Sequence, residues 1–89
     1  MPKKGFSKKN IVNVKEGPGI YKLFNPVGTL TYVGKARDLP SRLLQHKNDG
    51  DVPNVSKFEV KHTGTTKEAE RIEKNIIQRF KPVHNIKKE

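Results

Sequence analysis

The chain of 89 residues has no cysteine, no tryptophan, only two tyrosines, and nine acidic residues against nineteen lysines and arginines. Without cysteine there is neither a disulfide framework nor a thiolate zinc site to compensate for a small core. No apolar run approaches the roughly 18 residues of a membrane span, and no secretory apolar segment follows the first lysines. A cytoplasmic chain without membrane association is the expectation. A chain this short buries only about 60% of its unfolded surface, so it forms one domain with a modest stability margin. No internal repeat and no Gly/Ser/Pro-rich linker divides it. Leu, Ile, Val and Phe supply 23 of the 89 residues, above the roughly 20% below which a charged chain is read as disordered.

The scarcity of acids leaves a formal net charge of +10. The natural counter-surface for such a field is a polyanion, nucleic acid before an anionic membrane or an acidic protein. The membrane option loses ground because no basic amphipathic helix rich in Trp or Phe is present. Solubilising lysines with no partner at all are the plainer alternative.

Residues 1–10, MPKKGFSKKN, are polar and lysine-paired without apolar period, which predicts a flexible basic arm and a folded domain over 11–89. IYKLF and TLTYVG read as strands joined by Asn25-Pro26-Val27-Gly28, with Asn at i, Pro at i+1 and Gly at i+3 of a type I turn. Symmetric closure of that hairpin would set Leu23 opposite Leu30 and Tyr21 opposite Tyr32. Leu39 to His46 reads as a short helix, with Asp38 at the N-cap and Pro40 tolerated in its first turn. Residues 48–54 form a loop by composition, and 56–62 alternate as a third strand. Thr65-Thr66-Lys67-Glu68 matches a capping box, opening a longer helix that runs to Phe80 before Lys81-Pro82. The whole is an α/β (α+β) domain: a small three-stranded antiparallel sheet flanked by helices.

One acid is out of place. On a wheel of about 100° per residue, Ala69, Ile72, Ile76, Ile77 and Phe80 share an arc, and Glu73 falls inside it. A carboxylate among apolar neighbours needs a cation, a hydrogen-bond donor or a metal. A salt bridge to a lysine or arginine is the plain reading. In this sketch Tyr21 and Tyr32 of the hairpin, Arg42 and His46 at i, i+4 of the first helix, and Glu73 of the last all face one side of the sheet, with Lys35 at its mouth.

Gly19-Ile20-Tyr21, ten intervening residues, Tyr32-Val33-Gly34-Lys35, then Arg42, Glu73 and Pro82-x-x-Asn85 in that order, resemble the GIY-YIG nuclease superfamily. The pattern spans about residues 17 to 87 and is most similar to the nuclease domain of UvrC-type excision-repair endonucleases and their single-domain relatives. The resemblance implies hydrolysis of a DNA phosphodiester with one Mg²⁺ or Mn²⁺, RNA not being excluded. It implies Glu73 as the sole protein ligand of the metal and Arg42 as the clamp on the scissile phosphate. Tyr21 is implied as the general base with Tyr32 as the other candidate, and His46 as the relay for the Tyr21 proton. Cations near the phenols, Lys35 and Arg42 among them, would favour phenolate. Lys35, Arg37, Arg42 and the arm residues Lys3, Lys4, Lys8 and Lys9 would bind the nucleic acid. Gly19, Gly34 and Asn85 would support the site, Gly34 by letting the backbone approach the phosphate. With no second DNA-binding domain in the sequence, target choice falls to the arm, to DNA structure, to a homodimer or to a partner protein; the alternative is that the chain is an excised piece of something longer. The competing expectations are a non-catalytic basic nucleic-acid-binding module and an accessory subunit active only in a complex.

Overall fold

The structure, a computed structural model, describes residues 3–81. In chain order the elements are β1 (Lys4–Gly5), α1 (Lys8–Val12), β2 (Gly19–Phe24), β3 (Leu30–Ala36), α2 (Leu39–Asp49), β4 (Lys57–His62) and α3 (Thr66–Phe80). The sheet is antiparallel, with four strands in the order β1-β4-β2-β3. The expected three strands are there, and β1 is added at one edge, Lys4 opposite Phe58 and Gly5 opposite Lys57.

The added strand belongs to the segment read as a flexible arm. From Lys4 onward that segment is part of the fold. Two apolar residues among the lysines account for it: Phe6 packs edge-on to Phe58 at 6.2 Å between ring centroids, and Ile11 is fully buried. The Phe6 amide donates to the Ser56 carbonyl at 2.9 Å, and the Ser7 hydroxyl caps α1 by accepting from the Asn10 amide.

The hairpin forms in a different register from symmetric closure. Tyr21 pairs with Gly34 and Leu23 with Tyr32. Two extra residues on the β3 side cause the shift. The type I turn closes as expected, the Gly28 amide donating to the Asn25 carbonyl at 2.9 Å, but Gly28 then takes φ +90 and adds a residue to the loop, a recurrent three-residue hairpin geometry. An irregularity between Leu23 and Phe24 leaves Thr31 without an opposite number, which is the second. A shift of two preserves side-chain parity. The tyrosines therefore remain on one face, as diagonal rather than direct neighbours.

Parity also separates the two layers. Tyr21, Leu23, Tyr32, Ala36 and Phe58 form one core with Ile11 of α1 and with Leu39 and Leu43 of α2. Ile20 and Val33 are buried on the opposite face, where α3 packs against β3 and β2 and sets the fully buried Ala69. Lys35, of opposite parity to Tyr32, pairs with Glu70 of α3.

Helix α2 buries Leu39, Leu43 and His46 at i, i+4 and i+7, so a histidine occupies the last position of its core stripe. Asp38 sits at its N-cap without a side-chain cap bond. Its carboxylate instead accepts from the Ser41 hydroxyl at 2.6 Å and from the Gly17 amide at 3.1 Å, and these two bonds hold its carboxyl below the usual range. The bond to Gly17 ties the start of α2 to the turn ahead of β2. In α3, Thr65 accepts from the Glu68 amide at 3.1 Å, while the Glu68 carboxylate accepts from the Gly64 amide at 3.0 Å, one residue before the expected partner. Phe80, placed in the apolar arc by periodicity, is 63% exposed.

Candidate active site

The site is assembled on β2, β3 and α2. The side chains of Tyr21 on β2 and Tyr32 on β3 stack with centroids 6.1 Å apart and an interplanar angle of 27°. The His46 ring lies 5.3 Å from each of them. All three are buried, Tyr21 completely. The Tyr21 hydroxyl and His46 Nε2 are 2.6 Å apart, and on the other side of the ring Nδ1 lies 2.8 Å from Asp51 Oδ1. A continuous hydrogen-bonded chain thus runs from a buried phenol through a buried imidazole to a carboxylate that is 52% exposed.

Sequence reasoning missed Asp51. Helix α2 was read as ending near His46, which left Asp51 an ordinary loop residue. The helix in fact runs to Asp49, and Gly50 caps it with φ 62, its amide donating to the His46 carbonyl at 2.9 Å. A left-handed cap folds the chain back over the last helical turn, so Asp51 returns to the histidine five residues before it. The signal was a glycine four residues after a core-stripe histidine, with an acid directly following.

Burial pushes the Tyr21 phenol well above its ordinary value of 10.0; Tyr32 adds to the rise, while the charge and hydrogen bond of Arg42 oppose it without prevailing. In the free chain, loss of solvation outweighs the guanidinium. Lys35 does not help, because it lies on the α3 face and pairs with Glu70 at 3.5 Å. Burial opposes the charge of Arg42 too, but the two phenols and Asp51 outweigh it and raise its pKa. Arg42 is half-buried and donates to Gln45 at 2.8 Å. At Asp51 burial acts to raise the carboxyl, and the bond and charge of His46, with Arg42, outweigh it and hold it below the usual range.

A phenol whose folded pKa is raised contributes stability that is complete below its unfolded value of 10.0 and is lost as pH rises through the folded value. The domain is therefore expected to lose thermal stability from about pH 10 upward. Absorbance of ionised tyrosine should lag behind a model phenol until unfolding begins. A Tyr21→Phe chain whose melting temperature falls as steeply above pH 10 would refute this.

The other expected residues are spread more widely. Glu73 is half-buried on α3, one turn beyond Ala69. Lys35 and Arg37 line a cleft of about 500 Å³ with Thr66, Lys67 and Glu70, on the face opposite the tyrosines. Lys3, Lys4, Lys8 and Lys9 are exposed; Lys4 lies in β1, at the other edge of the sheet from β3, and Lys3 sits 4.2 Å over the Phe24 ring. The expected basic positions are not drawn into one cluster. Gly19 is in the central strand, where a Cβ would lie 2.9 Å from Leu39 Cδ1 and would also run into the Lys61 carbonyl. At Gly34 a Cβ would run into the hydroxyl and ring of Tyr21. Its bareness therefore seats the tyrosine. Asn85 and Pro82 lie outside the described residues. No helix among the described residues is long and apolar enough to cross a membrane.

A small antiparallel sheet whose paired strands carry Gly19-Ile20-Tyr21 and Tyr32-Val33-Gly34, with an arginine and histidine one turn apart on the next helix, has the architecture of a GIY-YIG domain. The chain belongs to the UvrC-like GIY-YIG domain family, whose pattern matches residues 17–86. It is 35% identical over 88 residues to the UvrABC system protein C of Mannheimia succiniciproducens and 34% identical over 88 residues to that of Yersinia enterocolitica. Each match covers 90% of this chain but 14% of the relative, so the chain spans a small part of the length of these proteins. Among solved structures, the magnesium-bound GIY-YIG N-terminal endonuclease domain of UvrC from Thermotoga maritima superposes with a TM-score of 0.73 at 26% identity. That match covers 85% of this chain and 91% of the other.

Proposed function

We propose that the chain is a divalent-metal-dependent endonuclease that hydrolyses DNA phosphodiester bonds. The observation that carries this reading is the 2.6 Å contact between Tyr21 and His46, with the Arg42 guanidinium acting on both phenols. Its relatives, a component of the UvrABC system and an endonuclease domain bound to magnesium, support nuclease chemistry with a divalent metal. Membership of a multi-protein system among its relatives supports action together with partner proteins.

Tyr21 is the general base. Its high pKa makes a standing phenolate unavailable at neutral pH, so its own proton has to leave as it takes one from the attacking water. His46 Nε2 is placed to receive it. Tyr21 is fully buried in the free chain, and Arg42, half-buried with its charge acting on both phenols, is the cation that would engage the phosphate. Once on the phosphate, its fork offsets charge that builds at the equatorial oxygens. Tyr32 holds the base in place by stacking.

Glu73 would hold Mg²⁺ or Mn²⁺. No group of three or more ligating carboxylate or imidazole side chains gathers among the described residues. A hard carboxylate, with water and substrate oxygens completing the shell, suits magnesium, which is commonly held by one or two carboxylates. Bound there, the ion would polarise the scissile phosphate and offset its charge.

The test is nicking of supercoiled plasmid by the whole chain with Mg²⁺ or Mn²⁺, with chelator as control and RNA as a second substrate. Tyr21→Phe should slow nicking by about 10²–10⁴-fold, the range for loss of a general base, with DNA affinity retained. A chain inert on duplex, branched and single-stranded DNA under all these conditions would leave a non-catalytic binding module in its place.

A further inference from the structure

We infer that Asp51 is a positioning residue for the base: it fixes the tautomer of His46 so that Nε2 is free to accept the Tyr21 proton. This rests on the nuclease reading above and goes beyond it in naming the group that makes the imidazole competent. A carboxylate can only accept hydrogen bonds, and that of Asp51 is held ionised well into the acid range. The 2.8 Å contact with His46 Nδ1 is therefore an N–H donating to oxygen, and the ring proton resides on Nδ1. In the neutral imidazole that leaves a lone pair on Nε2, 2.6 Å from the Tyr21 hydroxyl, which donates to it. Without Asp51 the ring proton could sit on Nε2, where it would donate to Tyr21 and block the transfer.

The groups facing His46 are Tyr21 from β2, Tyr32 from β3 and Asp51 from the turn after α2. Arg42, one turn earlier on the same helix, acts on both phenols and on Asp51. Of these, it is Asp51 that meets Nδ1. In the reaction the water oxygen bonds to phosphorus as the bond to the leaving oxygen breaks. The water proton passes to Tyr21, and the phenolic proton passes to Nε2. The resulting imidazolium faces the Asp51 carboxylate, which stabilises its charge, as the buried aspartate does in serine hydrolases. The leaving alkoxide takes a proton from solvent and the imidazolium returns one to it. Asp51 is the exposed end of the chain, so that return has a route.

Long-range ¹H–¹⁵N correlation spectra of the whole chain read the His46 tautomer without any need for activity. The wild type should show the proton on Nδ1. Asp51→Asn, whose amide can donate to Nδ1, should move it to Nε2, and Asp51→Ala should leave a mixture. Because the side chain is half-exposed on a turn, both variants should keep the wild-type backbone spectrum. In the nicking assay Asp51→Asn should lower the rate by about 10²–10³-fold, with DNA affinity within twofold, and Asp51→Glu should recover part of the loss. An unchanged His46 tautomer in Asp51→Asn would overturn the assignment, as would nicking by that variant at the rate of an active wild type. If the wild type nicks nothing, the nuclease reading fails, and the spectra still decide whether Asp51 sets the tautomer.

Discussion

Glu73→Gln is expected to remove divalent-metal-supported nicking, a loss of about 10³-fold or more, since a metal's stabilisation of transition-state charge is worth several kcal/mol and each 1.36 kcal/mol is tenfold. The substitution preserves length, volume and the capacity to hydrogen-bond, and takes away only the charge. Glu73 follows the fully buried Ala69 by one helical turn and is itself half-buried, so an isosteric change is preferable to truncation for keeping α3 seated. An amide oxygen is a far weaker partner for Mg²⁺ than a carboxylate. Titration with Mn²⁺, followed by paramagnetic broadening, should show signals around Glu73 affected in the wild type and spared in the variant. Metal-free DNA binding should persist or tighten slightly, because one negative charge leaves a chain of net charge +10. Equal nicking by the two proteins, or broadening centred elsewhere, would remove Glu73 from the chemistry.

How much of this was legible in the sequence depended on which physical rule governed each residue. Periodicity placed the strands of the hairpin, both longer helices and the third strand, because local hydrogen bonding and a core-facing stripe decide them. The hairpin register was not legible, since symmetric closure ignores both the left-handed Gly28 and the unopposed Thr31; each adds one residue, and neither is visible in hydrophobic patterning. β1 was hidden for a different reason. A two-residue strand has no period, and the lysines around Phe6 mask the one side chain that docks it. At the site, Tyr21, Tyr32, Arg42 and His46 were readable as an ordered set, whereas Asp51 reaches His46 only through the geometry of the Gly50 cap. Parity and proximity are distinct kinds of information. The two tyrosines share a face in either register, but only the observed one puts Gly34 under the Tyr21 ring.

That placement makes Gly34→Ala the substitution with the largest expected effect on folding and site together. The Tyr21 ring is fully buried, stacked on Tyr32 at 6.1 Å and tilted on His46 at 5.3 Å, and it covers Gly34 so closely that a Cβ there would run into its hydroxyl and ring atoms. A flexible side chain could retreat by changing its far rotamers; a fully buried phenol stacked on Tyr32 and bonded to His46 through its hydroxyl has little room to do so. Overpacking of this kind costs about 2–3 kcal/mol. In a domain of this size that corresponds to a fall of about 10–20 °C in melting temperature. Any relief must move Tyr21 off the centre of the sheet, which lengthens its 2.6 Å contact with His46 and should take nicking down at least as far as Tyr21→Phe does. The double variant Gly34→Ala, Tyr21→Phe separates the two consequences. Removing the hydroxyl gives back part of the space, so the double variant should melt higher than Gly34→Ala alone while remaining inactive. If Gly34→Ala by itself keeps both the wild-type melting temperature and the wild-type nicking rate, then the ring does not rest on that glycine, and the base is not held where the chain from Tyr21 through His46 to Asp51 requires it.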